Sequence, residues 1–231
     1  MSGGGARSAY QAGFLGAVAE QNPDLDVSIV TGVSAGAINA AFLGTGCGNW
    51  IERTRRLEAL WSELEVSDVF RVGASSLLPR ALWWALKLAT GRLGSGLRLQ
   101  GLVDTSPLAA TLASHLEPAE PASGPGCPRA VAVTASCYSS GESVTWIQGR
   151  EIDNWKRAGR RGERVRLGVE HIMASAALPL FFPAVRVEGE WYADGGMRLT
   201  APLSPAIHLG ATKILALSTR AYRKQIGRAH V

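Results

Sequence analysis

One pentapeptide constrains this chain more than any other stretch. Gly32-VSAG-Gly36 is a G-x-S-x-G sequence wedged between VSIVTG (Val27 to Gly32) and AGAINAAFL (Ala35 to Leu43). The first flank is β-branched and reads as a buried strand; the second is small and apolar and reads as a helix. A chain passing from strand to helix through a single serine must turn sharply, which lifts the hydroxyl clear of the sheet. Gly32 and Gly36 remove the Cβ atoms that would clash as the chain doubles back. The serine also sits at a helix start, where free N–H groups and the positive helix end face any nearby anion. Ser34 is therefore a candidate nucleophile, with the Ala35 N–H as a candidate oxyanion donor.

A serine hydroxyl needs a base. The four histidines are His115, His171, His208 and His230. His230 falls in the C-terminal tail and His115 ends a surface helix. His171 and His208 lie on helices beside apolar residues, where a packed or half-exposed histidine is the commoner outcome. Only His208 fits the order Ser…Asp…His, so a Ser34–Asp194–His208 triad stays open as an alternative. Asp194-Gly195-Gly196 offers a different base. An aspartate at a strand end followed by two glycines can bring its carboxylate against another backbone, although D-G-G is also an ordinary turn sequence. A carboxylate with a pKa of about 4 is a weak base, so it needs direct contact with the hydroxyl and partial burial.

The chain begins with a third glycine-rich stretch, GGGARS (Gly3 to Ser8), close to G-x-G-x-x-G with Ser8 in place of the last glycine. A dinucleotide-binding loop expects an acidic residue at the end of the following strand. Asp24 and Asp26 instead precede that strand, and its end is occupied by the elbow. The loop reads better as backbone donors for an anion other than phosphate.

Elsewhere, helical patterns run over Tyr10 to Gln21, Asn49 to Leu64 and Val169 to Ala177. A short helix is expected over Pro205 to Gly210, and another start at Ser106-Pro107, with serine as cap. Strands are expected over Ala130 to Tyr138 and Ser143 to Gly149, joined by a turn at Ser139-SGE. A tight hairpin over Arg186 to Gly196 delivers Asp194, and Lys213 to Thr219 reads as the last strand. Only Met1 and Ser2 precede the first glycine, so a leading strand is expected to be missing or vestigial. Strands alternating with helices predict an α/β domain with a mainly parallel central sheet. Leu77 to Ala89 is the greasiest helical stretch. Its flanking Arg80, Lys87, Arg92 and Arg98 suit a cap on the domain or a helix lying in a membrane interface. Glu117 to Pro128 reads as a surface loop.

The 231 residues, 46% hydrophobic and 19% charged, fit one globular domain. The net charge of +5 is concentrated in KRAGRRGERVR (Lys156 to Arg166), read as a solvated basic loop. Without interleaved aromatics or a nucleic-acid motif, nucleic acid is discounted as a partner. Cys47, Cys127 and Cys137 are an odd, sparse set without C-x-x-C spacing. They predict neither a disulfide framework nor a zinc site, and a reduced, cytoplasmic protein. No apolar run is long enough to span a bilayer. Ile226-GRAH-Val231 can be back-translated as a common sequencing-adapter run. Residues 1–225 are therefore expected to form one domain cut short at both ends, and 226–231 a non-native tail.

GGGARSAYQAG, GVSAG and DGG, in that order, resemble the patatin-like phospholipases, as do LVDTSPL, EHIMASAALPLFFPAV and TAPLSPAIHLGA. The resemblance implies a three-layer α/β/α sandwich and lipid acyl hydrolysis by a Ser–Asp dyad without a catalytic histidine, carried here by Ser34 and Asp194. It also implies an oxyanion hole from Gly3, Gly4 and Gly5, with Arg7 nearby, supported by Gly32, Gly36, Gly195 and Gly196. The implied partner is a phospholipid or other acyl-ester lipid, met through peripheral membrane contact; no metal or other cofactor is implied. Ser8 departs from the family's glycine, which puts the geometry of the loop in question. A catalytically idle scaffold acting as an interaction domain is the remaining alternative.

Overall fold

The computed structural model describes residues 1–71, 101–116, 126–150, 152–198 and 203–219. The stretch expected to be helical over Leu77 to Ala89, most of the loop before Pro128 and the 226–231 tail lie outside these residues. A 3-10 turn, Gly5–Ser8, leads into α1 (Ala9–Gln21), followed by β1 (Ile29–Val33), α2 (Ala35–Thr45), α3 (Trp50–Glu63) and α4 (Val66–Val69). Next come α5 (Ser106–His115), β2 (Ala130–Cys137), β3 (Ser143–Gly149), β4 (Trp155–Arg157) and β5 (Arg160–Arg164). The described part closes with α6 (Val169–Ala176), β6 (Val185–Val187), β7 (Glu190–Asp194) and α7 (Leu203–His208).

β2 is the spine of the sheet and is buried along its whole length. One edge pairs with β3, antiparallel. The other edge is divided: β1 runs parallel to its first half, Ala130 to Thr134, and β7 antiparallel to its second half, Ala135 to Cys137. β1 and β7 therefore approach each other end-on. Their last residues, Val33 and Asp194, stand opposite the adjacent Thr134 and Ala135. This junction positions the site.

The sheet is mixed and mostly antiparallel, which corrects the expectation of a mainly parallel core. Only β1–β2 and β3–β5 pair in parallel, while β2–β3, β2–β7, β4–β5 and β6–β7 are antiparallel. The physical cause is three tight turns, carrying Gly141, Gly159 and Gly189 at positive φ. A tight hairpin can join only antiparallel neighbours. The expected basic loop is itself one of these hairpins, β4–β5. Within it Arg161 holds Glu142, Glu163 and Glu190 at 2.9, 2.7 and 2.5 Å, tying β5 to the β2–β3 turn and the start of β7.

Side-chain alternation along β2 divides the core. Val131, Val133 and Ala135 join Ala37, Trp146 and Ala174 on the face covered by α2 and α6. α1, α3 and α5 pack outward from there around Leu15, Leu43, Leu57 and Leu112. Ala130 and Ala132 face the other way, toward Ile147, Ile152 and Leu209 at the end of α7. Helices thus cover both faces, unequally.

The expected last strand is not one. Residues 214–219 have no regular structure and lie beside the first residues instead: the Ser2 N–H donates to Leu217 O at 3.0 Å and the Thr219 hydroxyl to Gly3 O at 2.7 Å. The Ser2–Leu217 bond does not extend into a ladder among the described residues. Thr105, not Ser106, is the cap residue of α5; the Asp104 carboxylate accepts from the Ser106 N–H at 2.9 Å and hydroxyl at 2.8 Å.

Cys47 and Cys127 form a disulfide across 80 positions of sequence, while Cys137 is free and buried. The expectation of reduced cysteines is overturned for this pair, and with it the cysteine-based reason for expecting a reducing compartment. The bond joins the loop after α2 to the entry of β2, at the end of α2 remote from Ser34. Closing a loop of that length removes about 4 kcal/mol of chain entropy from the unfolded state. Cys47→Ala with Cys127→Ala should therefore lower stability by up to that amount in a denaturant melt. Any hydrolytic rate per folded molecule should be unchanged.

Candidate active site

Ser34 joins β1 to α2 with φ 58° and ψ −135°, a conformation rarely adopted by a residue with a Cβ. Such strain costs of order 1–3 kcal/mol and persists only where the surroundings over-determine it. Here the Ser34 N–H donates to Ser175 Oγ at 3.0 Å, and the Ser175 hydroxyl donates onward to Thr134 O at 2.6 Å. Ser175 is fully buried on α6. The glycines flanking Ser34 serve different contacts. A Cβ on Gly32 would lie 2.1 Å from Gly36 O, and one on Gly36 would lie 2.6 Å from both Met1 O and Ser2 O. One lets α2 fold back over its own strand; the other admits the N-terminal segment.

Asp194 ends β7 and is 5% exposed. Its Oδ2 accepts the Ser34 hydroxyl at 2.5 Å, and its Oδ1 accepts the Gly196 N–H at 2.7 Å. The main chain is also fixed, with the Asp194 N–H donating to Ala177 O at 2.8 Å and Asp194 O accepting from Ser136 Oγ at 3.1 Å. Burial raises the carboxyl pKa above the usual range; the hydrogen bonds from Ser34 and Gly196 pull the other way. Gly195 is pressed against the β1–β2 junction, where a Cβ would lie 2.1 Å from Thr134 O.

The glycine-rich loop reaches the same point. A Cβ on Gly3 would lie 2.5 Å from Ser34 Cβ and 3.0 Å from Ser34 Oγ, so only glycine can lie here against the serine. Gly4 faces Thr219, whose hydroxyl donates to Gly3 O at 2.7 Å. Gly5, at φ 58°, opens the 3-10 turn. Arg7 is exposed at the rim, its Nε 3.5 Å from Gly4 O. Ala35 is the first residue of α2, where N–H groups lack intrahelical acceptors. Ser8 is fully buried, and its hydroxyl has no partner among the described residues.

The described histidines are engaged elsewhere. His115 Nδ1 lies 2.9 Å from Thr111 O, His171 Nδ1 accepts the Gly168 N–H at 3.0 Å, and His208 stacks on Trp155 at 4.4 Å. His230 is outside the described residues. Among the described residues, no group of three or more His, Cys, Asp or Glu side chains could hold a metal ion.

A strained serine bonded to a buried aspartate, with a glycine loop against it, is a constellation spread over three distant motifs. The patatin-like phospholipase domain matches residues 1–207. The chain belongs to the patatin-like phospholipase family. This is a family of lipid acyl hydrolases with an α/β fold. The patatin-like match ends within α7, so Leu217, which bonds Ser2, and Thr219, which bonds Gly3 of the glycine-rich loop, lie beyond it. No curated protein matches the chain.

Sequence reasoning missed Ser175. It sits in EHIMASAA as one small residue among several, and its partners are far away in sequence. Ser175→Ala would strip partners from two backbone groups, at about 1–3 kcal/mol for each one left buried and unpaired. A denaturant melt should show that loss. Leu178, Leu180 and Phe181, which follow Ala177 in the chain, and Met197, which follows Gly196, are exposed, whereas Phe182 is half-buried with its ring 6.2 Å from Phe70.

Proposed function

We propose that this patatin-like protein hydrolyses carboxylic esters of lipids through Ser34 and Asp194. The observation that carries the reading is the 2.5 Å contact between Ser34 Oγ and Asp194 Oδ2. In the first step Asp194 accepts the Ser34 proton as Oγ attacks the ester carbonyl. The oxyanion is held by N–H groups of the Gly3–Gly5 loop and Ala35. Its collapse breaks the ester C–O bond, and Asp194 returns the proton to the departing alcohol or lysolipid. Water then attacks the acyl-serine with Asp194 again as base, releasing the fatty acid and restoring Ser34. A buried carboxylate is a stronger base than a solvated one, because desolvation disfavours its charged form. Each oxyanion donor is worth about 10²–10³ in rate.

Arg7 steadies the loop at its rim. Leu178, Leu180 and Phe181 supply an apolar lip for an acyl chain, and this lip is where peripheral contact with a lipid surface would be made. Among the described residues no helix is long and apolar enough to cross a membrane. We read residues 1–225 as one catalytic domain and 226–231 as a non-native tail; the encoding DNA decides the latter.

Phospholipid vesicles incubated with the protein should release free fatty acid and lysolipid, measured by mass spectrometry. His208→Ala should leave the rate within about twofold, since general-base removal costs about 10²–10⁴. A loss of that size in His208→Ala would replace the dyad by a triad.

A further inference from the structure

The proposed oxyanion loop must be held at a fixed distance from Ser34, and its own sequence cannot do this. Gly3 to Gly5 offer no side chains, and a 1 Å misplacement near reacting atoms can cost about 10²-fold in rate. Beside the Thr219 hydroxyl on Gly3 O, a buried amide relay ties the loop to the helix that carries the serine. Asn39 lies on α2, the helix that begins at the Ser34 elbow, and is fully buried. Its Nδ2 donates to Ser8 O at 3.1 Å and to Gln11 Oε1 at 3.1 Å. Its Oδ1 accepts the Trp61 indole N–H at 2.7 Å. Gln11, also fully buried, donates from Nε2 to Ser2 O at 2.9 Å.

These contacts leave no freedom in the relay. An indole N–H can only donate, so it fixes the Asn39 oxygen toward α3 and turns the amide hydrogens toward Ser8 O and the Gln11 side chain on α1. The two backbone acceptors reached, Ser2 O and Ser8 O, stand immediately before Gly3 and at the end of the 3-10 turn. Asn39, on the helix that carries the serine, therefore ties the Ser8 end directly and the Ser2 end through Gln11. The Ser8 hydroxyl takes no part, so the departure from glycine at that position is compatible with the relay, which uses only its carbonyl.

We propose that Asn39 and Gln11, oriented by Trp61, are positioning residues that set the spacing between the glycine-rich loop and Ser34. The inference rests on the proposed ester hydrolysis, and its test separates the two. Asn39→Asp replaces an amide donor by an oxygen facing two acceptors, at constant volume. Gln11→Met keeps the length and removes the donor. Trp61→Phe removes the N–H that orients Asn39 together with part of the ring volume, and keeps an aromatic ring if the other variants fail to fold. Active sites are counted with a fluorophosphonate, p-nitrophenyl ester turnover is expressed per titrated site, and amide exchange is followed at Gly3 to Gly5.

Expected is a fall in kcat per site of about 10²-fold for Asn39→Asp, a smaller one for Gln11→Met and Trp61→Phe, KM within about twofold, and faster exchange at the glycines. Asn39→Asp combined with Gln11→Met should be no worse than Asn39→Asp alone, as for members of one network. A merely structural role would lower the number of titrated sites and leave the rate per site unchanged, which overturns the inference. Unchanged glycine exchange overturns it also. If the unmodified protein fails to turn over the ester, or Ser34→Ala still does, the ester-hydrolysis reading is at fault and the inference goes with it.

Discussion

Ser34→Ala is expected to reduce ester hydrolysis at least about 10⁴-fold, to the level of background, with the fold intact. The alanine removes the attacking oxygen, and none of the described neighbours can replace it. Ser175 Oγ is committed to Thr134 O and the Ser34 N–H, and the Ser8 hydroxyl is fully buried. Alanine keeps the Cβ at positive φ, so the backbone strain is unchanged and circular dichroism should match the unmodified protein. The rate loss should appear in kcat, with the remaining binding surface untouched. Residual activity above about 1% would mean that another nucleophile, or directly activated water, does the chemistry.

Asp194→Asn is expected to lower kcat about 10³–10⁴-fold, because the amide cannot accept the serine proton. Its pH behaviour gives a second test. Asp194 works as a base only when ionised, and burial holds its proton to higher pH than in a solvated carboxyl. Activity should therefore rise with pH through a value above the ordinary carboxylate range, and the limb should vanish in the variant. Stability moves the opposite way. A pKa raised on folding means that the native state binds the proton more tightly than the unfolded chain. The stability so contributed is full below the unfolded pKa and lost as pH rises through the folded one. Asp194→Asn should accordingly be more favourable to stability at neutral pH than in acid. Melts of both proteins at the two pH values measure this.

The parts legible in the sequence were those whose demands are local. A serine forced to positive φ between strand and helix needs glycine on both sides, and Gly32 and Gly36 are visible as such. The close approach of Gly195 to the sheet likewise leaves its mark as D-G-G. The unread parts were long-range pairings of ordinary residues. Ser175 to Ser34, Asn39 to the loop carbonyls, and Cys47 to Cys127 each join residues whose local context is that of any small, polar or isolated side chain. Strand–helix alternation points to a parallel sheet, but the turns at Gly141 and Gly189, both visible in the sequence, each force an antiparallel pair, and the β4–β5 hairpin at Gly159 is hidden in a segment that reads as a basic loop. The segment at 213–219 has a strand's composition but joins the N-terminal residues through the Ser2–Leu217 bond without forming a ladder.

The central claim is that Ser34 is the nucleophile activated by Asp194, and covalent labelling tests it most directly. A fluorophosphonate should add once per molecule, at Ser34 by peptide mapping, and esterase activity should fall in proportion to the adduct. In Asp194→Asn the same adduct should form at least about 10²-fold more slowly. An adduct elsewhere, activity that persists after complete labelling, or equal labelling of Asp194→Asn would contradict the account.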